Sequence, residues 1–421
     1  MKLKIIKLSA FEIIIAILTI LTVSAGILTY WFNISTAYAD DVLTLVVMIS
    51  MIFTLFFTRR KMQISSKLFL FPLMMTVIGF IGNSVSGYQD NLFAIVMDAF
   101  SWQKFFLLYA CFLVILQKKK NRISLYLRIA QRISKLLIIV GLLMAIFNLL
   151  GVICLAPGYD RFGLPTFTFG SHPSNTASIL AASISLLFWN EKENLKYIFI
   201  ALILIVLTFR FKGIAFACLV IYFMLKDALP RMKKKIKIPL LVQVLPIVLC
   251  IVFICWDQIT FYFISPTASR ARALSTSFKI AAKNFPFGGG FASFGTLMSG
   301  VYYSDAYRKF GLSNIWGFSK QDYSFIGDGG FATIIGQLGW GGFLIVVINI
   351  LIIYKFIKKK INQKEMPISC FLVLAYLIIS QSNEGAFYAE NAPVFALILA
   401  LLTFYFAWKP IDEKNNTKKS S

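Results

Sequence analysis

Two pairs of basic residues and a few carboxylates stand in this sequence where apolar runs begin or end. Arg210 and Lys212 interrupt LTFRFKGIAF, and Arg270 and Arg272 open the segment TASRARALSTSFKIAAKNFPFGGGF. The chemistry such residues offer is anion capture: a guanidinium holds phosphate through its planar fork of donors, and an ammonium adds a point charge. Arg210 and Lys212 need a tight turn to point the same way, and their plainer reading is snorkelling toward lipid headgroups. Taken as a helix over 268–284, at about 100° per residue, Arg270 shares a side with Leu274, Phe278 and Ala281. Arg272, Lys279 and Lys283 fall on the opposite side, as a solvated or headgroup-facing stripe. An inward Arg270 requires an anion: a carboxylate such as Asp257, Asp305, Asp322 or Asp328, or the phosphate of a ligand.

The remaining candidates are read the same way. Asp328 precedes the apolar run in GDGGFATIIGQLGWGG and is expected to cap its helix, at the level where a substrate would arrive. The glycines of that run point to close helix packing. Glu384, Tyr388 and Glu390 lie in SQSNEGAFYAENAPVF, a polar cap over a helical hairpin. Asp98 and Lys104 are expected to compensate one another. NFPFGGG ends the Arg270 helix and supplies backbone that can approach a ligand closely. His172 is the only histidine, and with six scattered cysteines it makes no zinc site of the usual kind. No carboxylate cluster has metal-ligand spacing, so no metal or other cofactor is expected.

Apolar runs must position these residues. The chain has 421 residues, 58% of them hydrophobic and only 14% charged, which marks an integral membrane protein rather than a soluble domain. Runs of about 17 to 25 apolar residues, enough to cross a bilayer, recur about twelve times, the first retained as a helix rather than cleaved as a signal peptide. With both termini cytoplasmic, most of the 42 basic residues fall in short cytoplasmic connections, 118–135 among them, and account for the net charge of +24. That charge is a topology signal answered by anionic lipid headgroups, and nucleic acid is not an expected partner. The expected architecture is all-α and polytopic: spans one to nine over 1–256, a large outer loop with amphipathic helices over 257–328, spans ten to twelve over 329–408, and a cytoplasmic tail over 409–421. The cysteines lie in or beside spans, so no disulfide framework is expected in the loop.

The order of these features resembles the bacterial superfamily of O-antigen ligases and Wzy-type polysaccharide polymerases. Arg270-Ala-Arg-Ala-Leu274 is similar to the ligases' Arg-x3-Leu element. Asp328 and Gly339 match the spacing of their His-x10-Gly element, with Asp in place of His, a departure that leans away from a ligase. The hairpin with Arg210 and Lys212 looks like the family's basic element between two spans. The resemblance implies a GT-C-like fold and a metal-independent glycosyltransferase in the bacterial cytoplasmic membrane, with an extracytoplasmic active site. It would join polyprenyl-pyrophosphate-linked oligosaccharide units into capsule, exopolysaccharide or O-antigen, with a chain-length regulator and a flippase as further partners. Arg210, Lys212, Arg270 and Arg272 would then bind pyrophosphate, and Asp328, or else Glu384 or His172, would take the acceptor's proton. Aromatic residues of the loop would stack on sugars. The alternatives are a ligase of the same superfamily or a lipid-linked oligosaccharide flippase, for which about twelve spans is also a common count. A membrane acyltransferase fits a single loop histidine poorly.

Overall fold

A chain this apolar satisfies its backbone groups internally by forming helices, and helix is the only extended regular structure among the described residues. The computed structural model describes residues 9–36, 38–57, 64–158, 160–161, 163–170, 172–228, 256, 260, 268–361 and 366–407. The expected ninth span, 238–256, therefore lies outside the described residues apart from Trp256, as does the expected tail over 409–421. In chain order the first helices are α1 (Ala10–Phe32), α2 (Ala39–Phe56), α3 (Lys67–Ser86), α4 (Leu92–Ser101), α5 (Phe106–Gln117) and α6 (Ile123–Leu149). Then come α7 (Pro173–Leu187), α8 (Glu191–Leu207), α9 (Phe211–Ala228) and α10 (Ser269–Lys283). Two short helices, α11 (Leu297–Val301) and α12 (Asp305–Lys309), precede α13 (Gly330–Ile361), α14 (Ile368–Ser380) and α15 (Ala392–Ala407).

Among the described residues, five helices are long and apolar enough to cross a membrane: α1, α2, α3, α6 with the single turn before it, and α13. A sixth arises if α4 and α5, bent by 54° at a short break, form one span. The expected count of about twelve is thus met only in part. Helices α7, α8, α9, α14 and α15 run 13 to 18 residues. Most residues of α7 and α15 are buried against other helices, so their length need not match a lipid layer. The basic residues expected in a connection over 118–135 are carried partly on α6 itself. That helix buries Leu127, Gln131, Ser134, Ile138 and Gly141 at alternating spacings of four and three, and leaves Arg128 and Arg132 on its exposed side.

The helix ends gather into two groups. At one end Glu12 of α1 holds Lys119 at 3.0 Å and Arg122 at 2.7 Å. Lys360, in the last turn of α13, is close enough to Lys120 for their charges to interact. The other end collects the starts of α7, α9 and α13 with the finish of α14, and it carries the candidate site.

The glycine-rich turn after α10 does not open toward a ligand. It is a backbone wedge driven between α3 and α13. Gly339 breaks α13 with φ 64° and ψ −167°, which frees carbonyls that would otherwise accept from within the helix. Gly289 N–H donates to the Gly336 carbonyl at 2.8 Å and Gly290 N–H to that of Gln337 at 2.7 Å. Gly341 N–H in return donates to the Pro286 carbonyl at 3.0 Å. On the α3 side, Asn83 exchanges two bonds of 2.8 Å with the Phe291 backbone. Of the glycines of α13, Gly339 and Gly341 pack against Pro286 of this wedge and Gly336 against the Phe294 ring, while Gly330 abuts Gln381 and Glu384 beyond α14.

The same close approach resets the inward face of α10. Its buried residues are Ser269, Ala273, Thr276, Ser277, Ile280 and Ala281, a small-residue face against α13. Phe278, expected on the inward stripe, is exposed and stacks on Trp340 with ring centres 5.6 Å apart. Small side chains win that face because a phenylalanine would hold the two helices apart.

Asp98 and Lys104 also depart from expectation, for they take separate partners. Lys104 is held by Asp40 at 2.6 Å and Asp41 at 2.8 Å. The buried Asp98 accepts from the Ala292 N–H at 2.5 Å and from Gln337 at 2.8 Å, which ties the wedge to α4 and α13. Residues 268–332 add a second small core, in which Ile280 of α10, Phe294, Tyr307, Leu312 and Phe318 cluster with Tyr88 from the segment between α3 and α4.

A β-carbon on Gly339 would sit 2.4 Å from the Pro286 carbonyl oxygen, at a φ that disfavours any L side chain. Gly339→Ala should therefore destabilise the protein by about 1–3 kcal/mol or more. A fluorescence-detected thermal melt in detergent reads this, and a melt unchanged from wild type would contradict the wedge.

Candidate functional site

The site is built from four chain junctions. α7 starts at Pro173 with His172 as its N-cap, the ring Nδ1 accepting from Ser174 N–H at 3.3 Å. α8 ends at Leu207, and Phe209 turns the chain with φ 47° before α9 begins at Phe211. That turn supplies what the Arg210–Lys212 spacing requires, and both side chains line one cavity. α13 and α14 meet through backbone bonds: Gly329 N–H donates to the Asn383 carbonyl at 3.0 Å and Phe331 N–H to that of Gln381 at 3.1 Å. With the helix start satisfied in this way, Asp328 does not act as its cap. Its carboxylate turns instead to Arg270.

The junctions enclose a polar cavity of about 400 Å³. His172, Ser174, Arg210, Lys212, Arg270, Asp328, Asn383 and Glu384 line it, together with Ser324 and Phe325 from the segment before α13. Arg270 donates to Asn383 Oδ1 at 2.7 Å and to Asp328 Oδ2 at 3.4 Å. Of the described carboxylates left open as its partner, Asp328 is thus the one it meets, Asp257 lying outside the described residues, while the cavity lies open to the same guanidinium. Lys212, only 1% exposed, is paired with Glu384 and donates to Ser178 at 3.1 Å. Ser174 and Ser380 donate to the same carboxylate at 2.7 and 3.0 Å.

These environments give the titratable groups different characters. Burial pushes the Glu384 carboxyl up, but the Lys212 charge and hydrogen bonds from Lys212, Ser174 and Ser380 outweigh it and hold Glu384 below its usual range. It is a fixed counter-charge. Burial pushes Asp328 up, and the opposing pull of Arg270 leaves it above the ordinary aspartate range. Asp328 is the carboxylate suited to receiving a proton. Burial, helped by the Arg210 charge, lowers His172 to about 4, so its imidazole is neutral at physiological pH. Arg210 Nη2 lies 3.3 Å from its Nε2.

Six of the seven residues given binding or proton-accepting roles from the sequence meet here: His172, Arg210, Lys212, Arg270, Asp328 and Glu384. Arg272 does not. It is exposed on the outer side of α10 and absent from the cavity wall. The residues missed were Ser174, Ser178, Ser380 and Asn383, small polar side chains whose only signal was polarity beside His172 and Glu384. Most aromatic rings of the 268–329 segment are spent on its own core, but Trp316 is 70% exposed and packs edge-on against Phe325 of the cavity wall, at 4.8 Å. Among the described residues, no group of three or more His, Cys, Asp or Glu side chains is placed to hold a metal ion.

A scan against protein-family models finds no match to this chain, and a search of curated proteins finds none either. The functional reading therefore rests on the cavity itself.

Glu384→Ala would strand Lys212 as an unpaired charge and should cost about 3–5 kcal/mol of stability. Lys212→Met combined with Glu384→Gln removes the stranded charge and should recover most of that loss in denaturation measurements. Equal losses for the single and double variants would contradict the pairing. Because the folded Glu384 value is depressed, its contribution is complete above the ordinary glutamate range and disappears as pH falls through the lowered value. Glu384→Gln should flatten that acid limb.

Proposed function

We propose that this chain is a polymerase of polyprenyl-diphosphate-linked oligosaccharide units, a GT-C-type glycosyltransferase working at the outer face of a bacterial cytoplasmic membrane. The observation that carries the reading is the meeting of Arg210, Lys212 and Arg270 with a proton-accepting Asp328 in one cavity at one end of an apolar helical bundle. In this reading the short buried helices also count as spans, giving about twelve crossings. The Glu12–Lys119–Arg122 end, with Lys358, Lys359 and Lys360 on α13, is cytoplasmic along with both termini. The cavity end is then outside, where lipid-linked glycan is available and nucleotide sugars are not.

The chemistry follows from the side chains. The diphosphate of the donor lipid replaces Asp328 as the partner of Arg270 and takes charge-assisted bonds from Arg210 and Arg270. Lys212, already matched by Glu384, adds positive potential from the cavity wall. The acceptor hydroxyl oxygen attacks the anomeric carbon of the donor sugar. The bond from that carbon to the diphosphate oxygen breaks, and its electron pair leaves with the diphosphate, whose charge the cations stabilise. Asp328 takes the hydroxyl proton, and losing Arg270 to the diphosphate makes its carboxylate more basic. Trp316 and Phe325 offer an aromatic surface for the sugar at the cavity lip.

Purified protein in nanodiscs, given lipid-linked repeat units and no nucleotide sugar, should yield a ladder of products. Arg270→Ala and Arg210→Ala should each lower the rate about ten- to hundredfold, the value of one charge-assisted contact. Wild-type rates in both variants would remove the diphosphate assignment. A raised Asp328 value means activity should fall as pH drops through a midpoint above the ordinary aspartate range. Asp328→Asn should abolish turnover and that limb together, and full activity of this variant would move the proton acceptor elsewhere.

A further inference from the structure

The polar cavity has an apolar neighbour. A cavity of about 190 Å³ lies between α1, α6, α7 and α15, walled by residues that include Val23, Leu137, Ala182, Leu186, Phe395 and Ile398. Three of its hydroxyl groups are engaged elsewhere: Thr19 donates to the Ile15 carbonyl at 2.7 Å, Ser24 to that of Ile20 at 2.7 Å, and Ser178 lies 2.8 Å from the Tyr376 hydroxyl. What remains is a hydrocarbon surface, unsuited to sugar or phosphate. Ile20 and Ile133, at its margin on α1 and α6, are 51% and 39% exposed, so the groove opens sideways between those two helices.

Its course is set by α7. Ser174 lines the polar cavity, and Ser178, Ala182 and Leu186 line the groove. These four are spaced by four residues and make one stripe along the helix, so groove and cavity are consecutive stretches of the same wall. From Ser178 to Leu186 that stripe descends about 12 Å, at about 1.5 Å per residue. Ser178 joins the two environments: its hydroxyl accepts from Lys212 at 3.1 Å and lies 2.8 Å from the Tyr376 hydroxyl. The other walls agree in direction. Asn391 at the start of α15 and Ile27 near the end of α1 sit at the cavity end, and Leu401 and Thr19 at the deep end.

We infer that this groove seats the isoprenoid chain of the lipid diphosphate whose charged head occupies the polar cavity. The inference rests on the reading of that cavity as a diphosphate site. A molecule with its anionic head at Arg210 and Arg270 must send its tail into apolar surroundings. The groove starts one helical turn from Ser174, has an apolar wall and opens to the bilayer, so the tail can enter sideways without leaving hydrocarbon. Each chain carbon placed there gains close packing that a fluid lipid neighbour does not supply.

The test is photolabelling in nanodiscs with a long-chain polyprenyl diphosphate that carries a diazirine on its chain and no sugar. Labelled peptides should come from α1, α6, α7 and α15, and unlabelled polyprenyl diphosphate should compete while the same excess of phosphatidylglycerol does not. Ala182→Phe, which fills the groove, and Ile133→Trp, which blocks its margin without touching the core, should each reduce labelling about tenfold. Label falling on other helices, equal competition by phosphatidylglycerol, or full labelling of both folded variants would overturn the inference. Label in the groove with repeat units left unpolymerised would uphold the groove and remove the glycosyl-transfer reading. Polymerisation with an unchanged KM in both variants would do the reverse.

Discussion

A lysine that is 1% exposed at the end of an apolar bundle must have a counter-charge, and the arrangement of this site follows from how Lys212 obtains one. Glu384 supplies it from the far side of the α14–α15 junction, and Ser174, Ser178 and Ser380 complete the hydrogen bonds. That one pair fastens the starts of α7 and α9 to the end of α14. It also sets the two carboxylates apart: Glu384 is paired with Lys212 and held below its usual range, whereas Asp328, 3.4 Å from Arg270, lies above its own.

The second constraint is the break at Gly339. A helix interrupted inside an apolar bundle leaves backbone groups with no water to satisfy them, and the turn after α10 provides the missing partners. The consequence for the site is positional. The turn that follows α10 is anchored to α13 by backbone bonds and to α3 through Asn83, and the small-residue face of α10 lies against α13, so Arg270 is delivered to Asp328 and Asn383 on a rigid support. Asp98 reinforces this from within the bundle by holding the Ala292 N–H and Gln337 together. A guanidinium carried on a freely moving loop would lose that preorganisation.

Much of this was legible in the sequence, for identifiable reasons. Long apolar runs specify helices wherever they lie, so most helices fall close to their expected places, and charges at the ends of such runs mark the end of the bundle where they are rare. The Arg210–Lys212 spacing demanded a turn, and Phe209 makes one. Four matters were not legible. The break between α4 and α5 falls inside a stretch that is apolar on either side, and Ser101, Gln103 and Lys104 were its only sign. The glycines around residue 288 signal close backbone approach but not what is approached, and the partner proved to be the broken α13. The inward face of α10 was carried too far, to Phe278, because hydrophobicity favours that residue, whereas the distance between the helices favours alanine and serine. Ser174 and Asn383 carry no charge pattern and become visible only when two distant junctions meet.

The account depends on the polar cavity facing the exterior. Ser324 is exposed and lines that cavity, and Cys154 is the exposed native cysteine among the described residues. With Cys154→Ser as background, Ser324→Cys can be treated in intact cells with a membrane-impermeant maleimide. The account predicts labelling without permeabilisation, and labelling only after the membrane is opened would contradict it.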